Sequence, residues 1–357
     1  KRMIEESDFK NFESYFFSTS QAGQKNPEWD INYKNDFLID AFDIQELSKM
    51  DIVMTCQGGD YTNKVFSILR ASGWIGHWVD AASTLRMTKD SIIVLDPLNQ
   101  LLINKAYDEG IKNWVGGNCT VSLMLLAIHG LLKENLVEWV SSMTYQAASG
   151  AGAKSMRELL IQMGQIYSSV SDDLDHNNSN ILDIDNKALA LMNSEKFQKD
   201  NFKVPLAGNL IPWIDEDLKN GMSREEWKGQ FETNKILNFN FNTIKVDGLC
   251  VRIGAMRSHS QALTIKLKKN LSVEKINKII SNGNQWIKFI PNDKESSMTL
   301  LSPAEVSGKL NISVGRIRKL DIEENCISLF TVGDQLLWGA AEPIRRMLQI
   351  LIKKGKN

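Results

Sequence analysis

The sequence predicts a two-domain α/β protein, in which a parallel sheet comes first and a mixed, largely antiparallel sheet follows. The first third of the chain alternates short apolar runs with helical spacing, the pattern of βαβ units. From about residue 118 the pattern changes to longer strand-like runs and a long amphipathic helix. The length of 357 residues also exceeds the roughly 250–300 residues at which a single core stops growing. Two domains are therefore expected.

The parallel sheet is predicted from short apolar runs that each end in small or polar residues. These runs are Tyr15–Ser18, Asp51–Cys56, His77–Asp80 and Ile92–Asp96. Stretches in which apolar residues have helical spacing separate these runs, as in residues 61–71. Because ligands bind outside the carboxyl ends of parallel strands, the polar residues after the runs are candidates for a ligand site. They lie at 18–21, 57–60 and 81–86.

The second domain is predicted from a strand over 136–145, a helix over 154–169 and an exposed polar loop over 171–180. Another strand alternates apolar residues with polar ones, which indicates one solvated face: Leu263, Ile265 and Leu267. Ser272 is expected to cap a helix whose inner stripe is Ile276, Ile279 and Ile280. The last helix, from Glu342, has one apolar face and is expected to pack on the first domain.

Charge and cysteine usage exclude several classes of protein. Lys+Arg 42 against Asp+Glu 43 gives a net charge of −1, which argues against a nucleic-acid partner. No apolar run approaches the roughly 20 residues of a membrane helix, so no membrane partner is expected. The four cysteines are widely spaced, without a C-x-x-C pair or zinc spacing. We therefore expect a cytoplasmic protein with free thiols and no metal site.

Cys119 is the candidate nucleophile. Glycines and Asn118 precede it and an apolar helical run follows, so the thiol is expected at a helix N-terminus. Unpaired N–H groups and the helix dipole stabilise a thiolate there, and such sites lower the thiol pKa to roughly 3.5–7.5. The alternative is a buried structural cysteine, which is the better interpretation for Cys56, Cys250 and Cys326.

A thiol nucleophile needs an acid/base partner, and the chain has four histidines. His129 lies in an apolar helical run and is interpreted as a satisfied core residue. His77 starts a strand, and His176 lies in the polar loop. His259 follows a segment in which cations and small residues interrupt a strand. By position it is the best candidate of the four.

Two charged groups could bind an anion or a zwitterion. Arg252 follows the apolar Leu249–Val251, so its guanidinium needs a carboxylate or phosphate partner. Glu225 and Lys228 share one helical face, although an ordinary surface salt bridge explains this spacing better from the residues alone. The glycine-rich Gly150–Ser155 is not a phosphate loop, because Ala153 occupies the glycine position before the lysine.

Four long motifs carry a resemblance to a known family. They are Gly116–Met124 (GGNCTVSLM), Tyr145–Gly150 (YQAASG), Ser223–Gln230 (SREEWKGQ) and Val251–Ser260 (VRIGAMRSHS), with support from Phe16–Ser20, Thr55–Asp60 and Phe330–Gly339. Together they resemble the aspartate-semialdehyde dehydrogenases of the Gram-negative bacterial type, in order and over essentially the whole chain. The resemblance implies a Rossmann-like NADP-binding domain, at 1–117 with 342–357, and an α+β catalytic and dimerisation domain at 118–341.

The implied activity is the NADP-linked reductive dephosphorylation of L-aspartyl 4-phosphate to L-aspartate 4-semialdehyde and phosphate, on the route to lysine, methionine, threonine and diaminopimelate. The resemblance makes Cys119 the thioester-forming nucleophile, His259 the acid/base and Gln146 a positioning residue. Substrate contacts are implied at Arg252 for the α-carboxylate, Glu225 for the α-ammonium, and Arg86, Lys228 and Asn118 for the phosphate. NADP(H) contacts are implied at Thr19, Ser20, Gln57, Ser149, Gly150, Gly152 and Gln335. The expected assembly is a homodimer.

The chain departs from the family at its beginning. The family starts with a strand and a glycine-rich turn that leads into a helix, and the segment Lys1–Glu6 corresponds to the end of that helix. The expectation is either an active enzyme whose sequence lacks its start, or a truncated, compromised homologue that dimerises but binds NADP poorly. An N-acetyl-glutamyl-phosphate reductase is a third alternative. Glu225 disfavours it, because an acetylated amine carries no charge to pair with a carboxylate.

Overall fold

The computed structural model describes residues 2–27, 31, 33–176, 179–240 and 242–355. It has two compact units. The first contains Lys1–Ser122, Asn234–Asn240 and Leu337–Asn357, and the second contains Leu123–Thr233 and Phe241–Leu336. The described residues form these strands: β1 (Phe17–Ser18), β2 (Ile39–Asp40), β3 (Ile52–Thr55), β4 (His77–Asp80), β5 (Ser91–Val94), β6 (Asn113–Gly116), β7 (Val137–Gln146), β8 (Leu210–Ile211), β9 (Lys245–Ile253), β10 (His259–Leu267), β11 (Ile287–Phe289), β12 (Ile312–Lys319) and β13 (Cys326–Gly333).

The helices of the described residues are α1 (Arg2–Glu5), α2 (Ile44–Leu47), α3 (Gly59–Ala71), α4 (Asp96–Asp108), α5 (Cys119–Ala127), α6 (His129–Lys133), α7 (Ala153–Leu174), α8 (Ile181–Met192), α9 (Arg224–Ile236), α10 (Val273–Ser281), α11 (Lys294–Leu300), α12 (Pro303–Val306) and α13 (Glu342–Gly355). None of them is long and apolar enough to cross a membrane.

The first unit is built on a parallel sheet of four strands in the order β3-β4-β6-β5. Three of the four apolar runs form strands of this sheet, as predicted. The first run was predicted too long, because only Phe17 and Ser18 pair as a strand, with Ile39 and Asp40 of β2. Tyr15 is exposed and contributes nothing to a buried strand face.

Helix α13 packs its apolar face on the parallel sheet. Ile344, Met347 and Leu351 are buried in one cluster with Val79 of β4 and Trp114 of β6. Burial of large side chains of this kind contributes roughly 1.5–3 kcal/mol each. The C-terminal helix is therefore part of the core of the first unit, as its amphipathic pattern predicted.

Ion pairs also hold α13 within the first unit. Arg345 Nε lies 2.6 Å from Asp8 Oδ2, and Arg346 Nη2 lies 2.5 Å from Asp96 Oδ2. Both carboxylates are buried, so these contacts are shielded from solvent.

The second unit is built on a mixed sheet of seven strands, counted over the described residues, in the order β11-β12-β13-β10-β7-β9-β8. The central pairs β12-β13, β13-β10 and β10-β7 are antiparallel, while β7-β9 and β11-β12 are parallel. The predicted alternation in β10 is confirmed, because Leu263, Ile265 and Leu267 are buried. Ser272 caps α10 by accepting from the Lys275 amide. The sequence expectation of a mixed, largely antiparallel sheet is thus correct.

Glycines permit a close contact between α6 and the end of α10. A Cβ at Gly130 of α6 would lie 2.0 Å from the Ile279 carbonyl oxygen of α10. A Cβ at Gly283, just after α10, would lie 2.7 Å from the Gly130 backbone nitrogen. Only glycine fits at this crossing, because backbone faces backbone.

Three local expectations were wrong. Helix α7 continues to Leu174, so the polar segment 171–180 is helical in its first four residues; 177–178 lie outside the described part of the chain. Cys56 is exposed rather than buried, because β3 ends at Thr55 and the thiol lies just beyond the strand. His129 is buried at the start of α6, but its Nδ1 has no hydrogen-bond partner among the described residues and so is not satisfied.

Candidate active site

Cys119 is the first residue of α5, and Asn118 caps that helix. The Asn118 carboxamide oxygen accepts from the amides of Thr120 at 2.9 Å and Val121 at 3.1 Å. Cys119 is partly exposed, in agreement with the position that the sequence predicted for a reactive thiol. The helix dipole at this terminus favours the thiolate. Asn118 thus caps the helix through its carboxamide oxygen.

Arg86, the other predicted phosphate ligand of the first unit, is buried. Its Nε donates to the Gly116 carbonyl at 2.7 Å. Gly116 ends β6 and lies three residues before Cys119 in the chain. The guanidinium is therefore tied to the backbone that leads into the nucleophile's helix.

In the second unit, Gln146, Arg252 and His259 lie at one edge of the mixed sheet. Gln146 ends β7, and Arg252 is its partner near the end of the parallel strand β9. His259 begins β10, which runs antiparallel to β7 and pairs Ser260 with Tyr145. Strand directions therefore bring the three predicted residues together, although Gln146 is far in sequence from Arg252 and His259. All are buried, with His259 only 1% exposed.

The turn after β7 binds the tips of two of these side chains. Arg252 Nη1 donates to the Ala147 carbonyl at 2.8 Å, and the Ala147 amide donates to His259 Nδ1 at 3.0 Å. A Cβ at Gly150 would lie 2.8 Å from Arg252 Nη1 and 2.9 Å from His259 Nε2. Glycine at 150 thus leaves room for both tips. The same residue was predicted to contact the cofactor.

Helix α9 adds a buried charged group to the second unit. Glu225 is 6% exposed; its Oε1 accepts from Gln146 Nε2 at 3.2 Å, and its Oε2 accepts from Lys228 Nζ at 3.0 Å. The alternative of an ordinary surface salt bridge is therefore wrong. Burial alone would lower the pKa of Lys228, but the charges of Glu225 and Asp215 outweigh it and raise that pKa above its usual value.

Asp215 is a site residue that the sequence did not reveal. Its Oδ2 lies 2.6 Å from Lys228 Nζ, and its backbone is left-handed, with φ 73°. Burial raises the pKa of this carboxyl, but the hydrogen bond and charge of Lys228 outweigh burial and lower it. Asp215 lies in irregular chain between β8 and α9, where no periodicity indicates a neighbour. The only signal was its acidic setting in Trp213–Asp217.

The imidazole of His259 is held neutral. Burial is the largest cause, followed by the nearby Arg252 guanidinium, and together they lower the pKa of His259 to about 3, against a smaller opposing effect of Glu225. Its Nε2 is buried and has no hydrogen-bond partner among the described residues. A buried polar atom without a partner in a cluster of charged groups marks a place where a ligand atom fits.

The predicted cofactor contacts of the first unit lie at the carboxyl ends of its strands. Thr19 Oγ1 donates to Gln57 Oε1 at 3.0 Å on the surface, and Ser20 follows Thr19 after β1. Gly58, with φ 89°, precedes α3 and offers no side-chain cap to the first amides of that helix. A helix N-terminus without a side-chain cap, beside polar side chains, is the kind of place where nucleotide phosphates bind in parallel α/β sheets.

The predicted cofactor contacts of the second unit have partners inside that unit. Gln335 Nε2 donates to Ser149 Oγ, and Gln335 Oε1 accepts from the Ser258 amide at 2.9 Å. Gly152, with φ 95°, precedes α7. Ser149 and Gln335 are buried, so their side chains brace the turn after β7 against the segment before β10.

Comparison with known proteins agrees with this division of the chain. The family model "Semialdehyde dehydrogenase, NAD binding domain" matches residues 1–106, and "Semialdehyde dehydrogenase, dimerisation domain" matches residues 128–338. The class of protein is therefore a semialdehyde dehydrogenase with a nicotinamide-nucleotide domain.

Solved structures narrow the class. The chain is similar to aspartate semialdehyde dehydrogenase from Francisella tularensis at 49% identity and TM-score 0.93, covering 98% of this chain and 94% of that one. The fold is shared with aspartate semialdehyde dehydrogenase II from Vibrio cholerae (23% identity, 99% and 93% covered, TM-score 0.78) and with the NADP complex of the enzyme from Candida albicans (17%, 99% and 95%, 0.63). The chain belongs to the aspartate semialdehyde dehydrogenase family.

Proposed function

We propose that the protein converts L-aspartyl 4-phosphate to L-aspartate 4-semialdehyde and phosphate, reversibly and with NADP(H), in the biosynthesis of lysine, methionine, threonine and diaminopimelate. The observation that carries the proposal is the buried pair of Glu225 and Arg252 at the sheet edge with Gln146. A carboxylate and a guanidinium at one site complement the ammonium and carboxylate of an amino acid. The Francisella tularensis relative, named for this activity, supports it.

In this proposal the Cys119 thiolate attacks the acyl carbon of the phosphorylated substrate. The carbon–sulfur bond forms, and the carbon–oxygen bond to phosphate breaks with the electron pair leaving on phosphate. Arg86 and Lys228 neutralise that charge, as the resemblance implies. The resemblance assigns the amino-acid end of the substrate to Arg252 and Glu225 and the acyl group to Gln146, and contacts of this kind would orient the substrate for attack.

The resulting thioester on Cys119 accepts electrons readily, because sulfur donates little resonance to the carbonyl. When bound, the reduced nicotinamide supplies a hydride equivalent to that carbon. The carbon–sulfur bond then breaks, the aldehyde is released and the thiolate is restored. We assign NADP(H) contacts to Thr19, Ser20, Gln57, Ser149, Gly150, Gly152 and Gln335; the exposed polar edge in the first unit supports the first three.

We also propose a homodimer built through the open face of the seven-stranded sheet. Leu249, Met143, Ala262 and Phe330 are successive cross-strand partners, so their side chains share that face. Leu249 is 54% exposed and Met143 37% exposed, an apolar row that a second copy would cover. The match to a dimerisation domain supports a dimer formed by this unit. The free cysteines support a reducing compartment, the cytoplasm.

The test of the activity is NADP reduction by the purified chain with L-aspartate semialdehyde and phosphate. Turnover should require phosphate and should fall by several orders of magnitude in Cys119→Ser. Cys250→Ser, at a buried cysteine outside the site, is the matched control and should retain activity. N-acetyl-glutamate semialdehyde serves as the competing substrate. Preference for it, or turnover unchanged in Cys119→Ser, would contradict the proposal.

A further inference from the structure

We propose that Asp215 determines the preference of this protein for a substrate that carries an α-ammonium group. It does so without contacting the substrate, by holding Lys228 so that the carboxylate of Glu225 stays available to the ammonium. Asp215 is thus a positioning residue for substrate recognition. The inference rests on the proposed function, in which Glu225 binds the α-ammonium, and it names the residue that makes this binding selective. All three residues belong to the second unit.

Glu225 and Lys228 alone would form a poor site for an ammonium group. Lys228 Nζ lies 3.0 Å from Glu225 Oε2. A carboxylate and an ammonium side by side are neutral together, so they attract a further cation only weakly. The lysine would also compete with the substrate for the same carboxylate. A further negative charge is therefore required if the site is to select an ammonium.

Asp215 supplies this negative charge. Its Oδ2 lies 2.6 Å from Lys228 Nζ, closer than Glu225 Oε2. Burial opposes the charge on both Asp215 and Lys228, but their attraction outweighs burial, lowering the pKa of Asp215 and raising that of Lys228. None of the three side chains is more than 28% exposed, so water screens their charges only in part. One ammonium between two carboxylates leaves a negative charge in excess, which a substrate ammonium can neutralise.

The loop before α9 fixes the Asp215 carboxylate beside Lys228. The second oxygen, Oδ1, accepts from the Glu216 amide at 2.9 Å, and Trp213 Nε1 donates to the Asp215 carbonyl at 3.0 Å. The Arg224 amide, at the start of α9, donates to the Glu216 carbonyl at 2.8 Å. Residue 215 has left-handed backbone, with φ 73°, which Asp and Asn adopt more readily than most residues. The carboxylate is therefore in place before any substrate binds.

The neighbouring carboxylate of α9 does not replace Asp215. Glu226 Oε2 accepts from the Ser223 amide at 2.7 Å, and its Oε1 accepts from the Cys250 amide at 3.2 Å. Both oxygens are thus committed to the backbone at the start of α9 and on β9. Asp215 is the carboxylate that shares Lys228 with Glu225.

Arg252 completes the charge balance of the amino-acid site. Gln146 pairs with Arg252 in the sheet and donates to Glu225, so the guanidinium and the acidic groups belong to one sheet edge. With Asp215 present, the two positive and two negative side chains balance, which suits a substrate end that carries one charge of each sign. Without Asp215 the site has a positive excess and favours an anion that lacks the amino group.

Calorimetric titration with L-aspartate and with succinate tests the inference without turnover. The two ligands share their carbon chain and both carboxylates, and only L-aspartate carries an α-ammonium. The unmodified protein should bind L-aspartate more tightly. In Asp215→Asn this preference should fall about 10- to 100-fold, the effect of removing a unit charge about 6 Å away at an effective dielectric constant of about 20 to 40. Asparagine keeps the left-handed backbone and an oxygen for Lys228, and Asp215→Gly, which also accepts this backbone, should give the same shift.

Asp217→Asn is the matched control, because Asp217 lies in the same loop and pairs with Lys219 at the surface. It should leave the preference unchanged. In turnover, Asp215→Asn should lower kcat/KM for L-aspartate semialdehyde relative to succinate semialdehyde by the same factor. Any effect on phosphate binding through Lys228 acts on both aldehydes alike, so it cancels in this ratio.

Three results would overturn the inference. The first is an unmodified protein that binds L-aspartate no better than succinate. The second is an unchanged preference in folded Asp215→Asn and Asp215→Gly. The third is an equal loss of both ligands, which would give Asp215 a purely structural role. A protein that shows the expected preference and its loss, yet does not turn over L-aspartate semialdehyde, would contradict the proposed function and support the inference.

Discussion

Glu225→Gln is the most direct test of how the site recognises an amino acid. The change keeps the size of the side chain but removes its negative charge. In the structure Glu225 is 6% exposed and accepts from both Gln146 and Lys228. A glutamine can keep one of these contacts through its oxygen, so the fold should survive. What is lost is the carboxylate proposed to pair with the substrate's α-ammonium.

The size of the expected loss in kcat/KM follows from the burial of the Glu225 carboxylate. A hydrogen bond to a charged partner contributes about 1.5–3 kcal/mol. At about 1.4 kcal/mol per factor of ten, kcat/KM for L-aspartate semialdehyde should fall roughly 10- to 150-fold. The loss is not attenuated by salt as a surface pair would be, because the carboxylate is shielded from solvent.

The assay compares two aldehydes. Succinate semialdehyde lacks the α-amino group, so it offers no ammonium for Glu225 to bind. Glu225→Gln should therefore change kcat/KM for this aldehyde by less than about threefold. Glu216→Gln is the matched control, because the side chain of Glu216 pairs with Arg224 at the surface, where the two side chains are 70% and 50% exposed. It should leave both substrates unaffected.

Two results would refute this reasoning. An equal loss on both aldehydes would mean that Glu225 supports the site through Gln146 and Lys228 rather than by binding the ammonium. No loss on L-aspartate semialdehyde would mean that the amino group is recognised elsewhere.

Three further predictions concern stability and assembly. Gly130→Ala should destabilise the second unit by about 1–3 kcal/mol, seen as a lower Tm. Gly164→Ala is the control, because a Cβ at this position of α7 has nothing within 4 Å, and it should stabilise the protein by about 0.5–1 kcal/mol. Equal changes in Tm for the two variants would contradict the close helix crossing at Gly130. The pKa of Asp215 is lower in the folded protein than in the unfolded chain, where it is about 3.9. Ionised Asp215 therefore stabilises the fold above about pH 3.9, and this stabilisation is lost as the pH falls through the folded-state pKa. In Asp215→Asn the free energy of unfolding should therefore fall less steeply at acidic pH. An unchanged pH dependence would mean that the pair with Lys228 contributes nothing to stability. Leu249→Glu should shift the protein toward monomers in sedimentation, and an unchanged dimer would exclude this sheet face.

Much of the fold follows from local pattern. Alternation in β10 and the stripe of α10 identified their buried faces, because side-chain direction repeats with the period of the element. The helix start at Cys119 was also readable, since glycines, an asparagine and an apolar run are adjacent in sequence. Two boundaries were wrong. At Tyr15–Ser18 the strand is shorter than predicted, because only Phe17 and Ser18 find a pairing partner, and after residue 170 helix α7 continues to Leu174.

The sequence by itself determined the family, the two kinds of sheet and the position of the thiol at a helix N-terminus. Each of these is encoded within short stretches of neighbouring residues. Only the tertiary structure decided that Asp215 holds Lys228 and that the amide of Ala147 meets His259, 112 residues away. The reason is physical. Strand order and loop paths bring distant groups together, and a histidine's tautomer depends on the one atom that faces each nitrogen, which no local periodicity records.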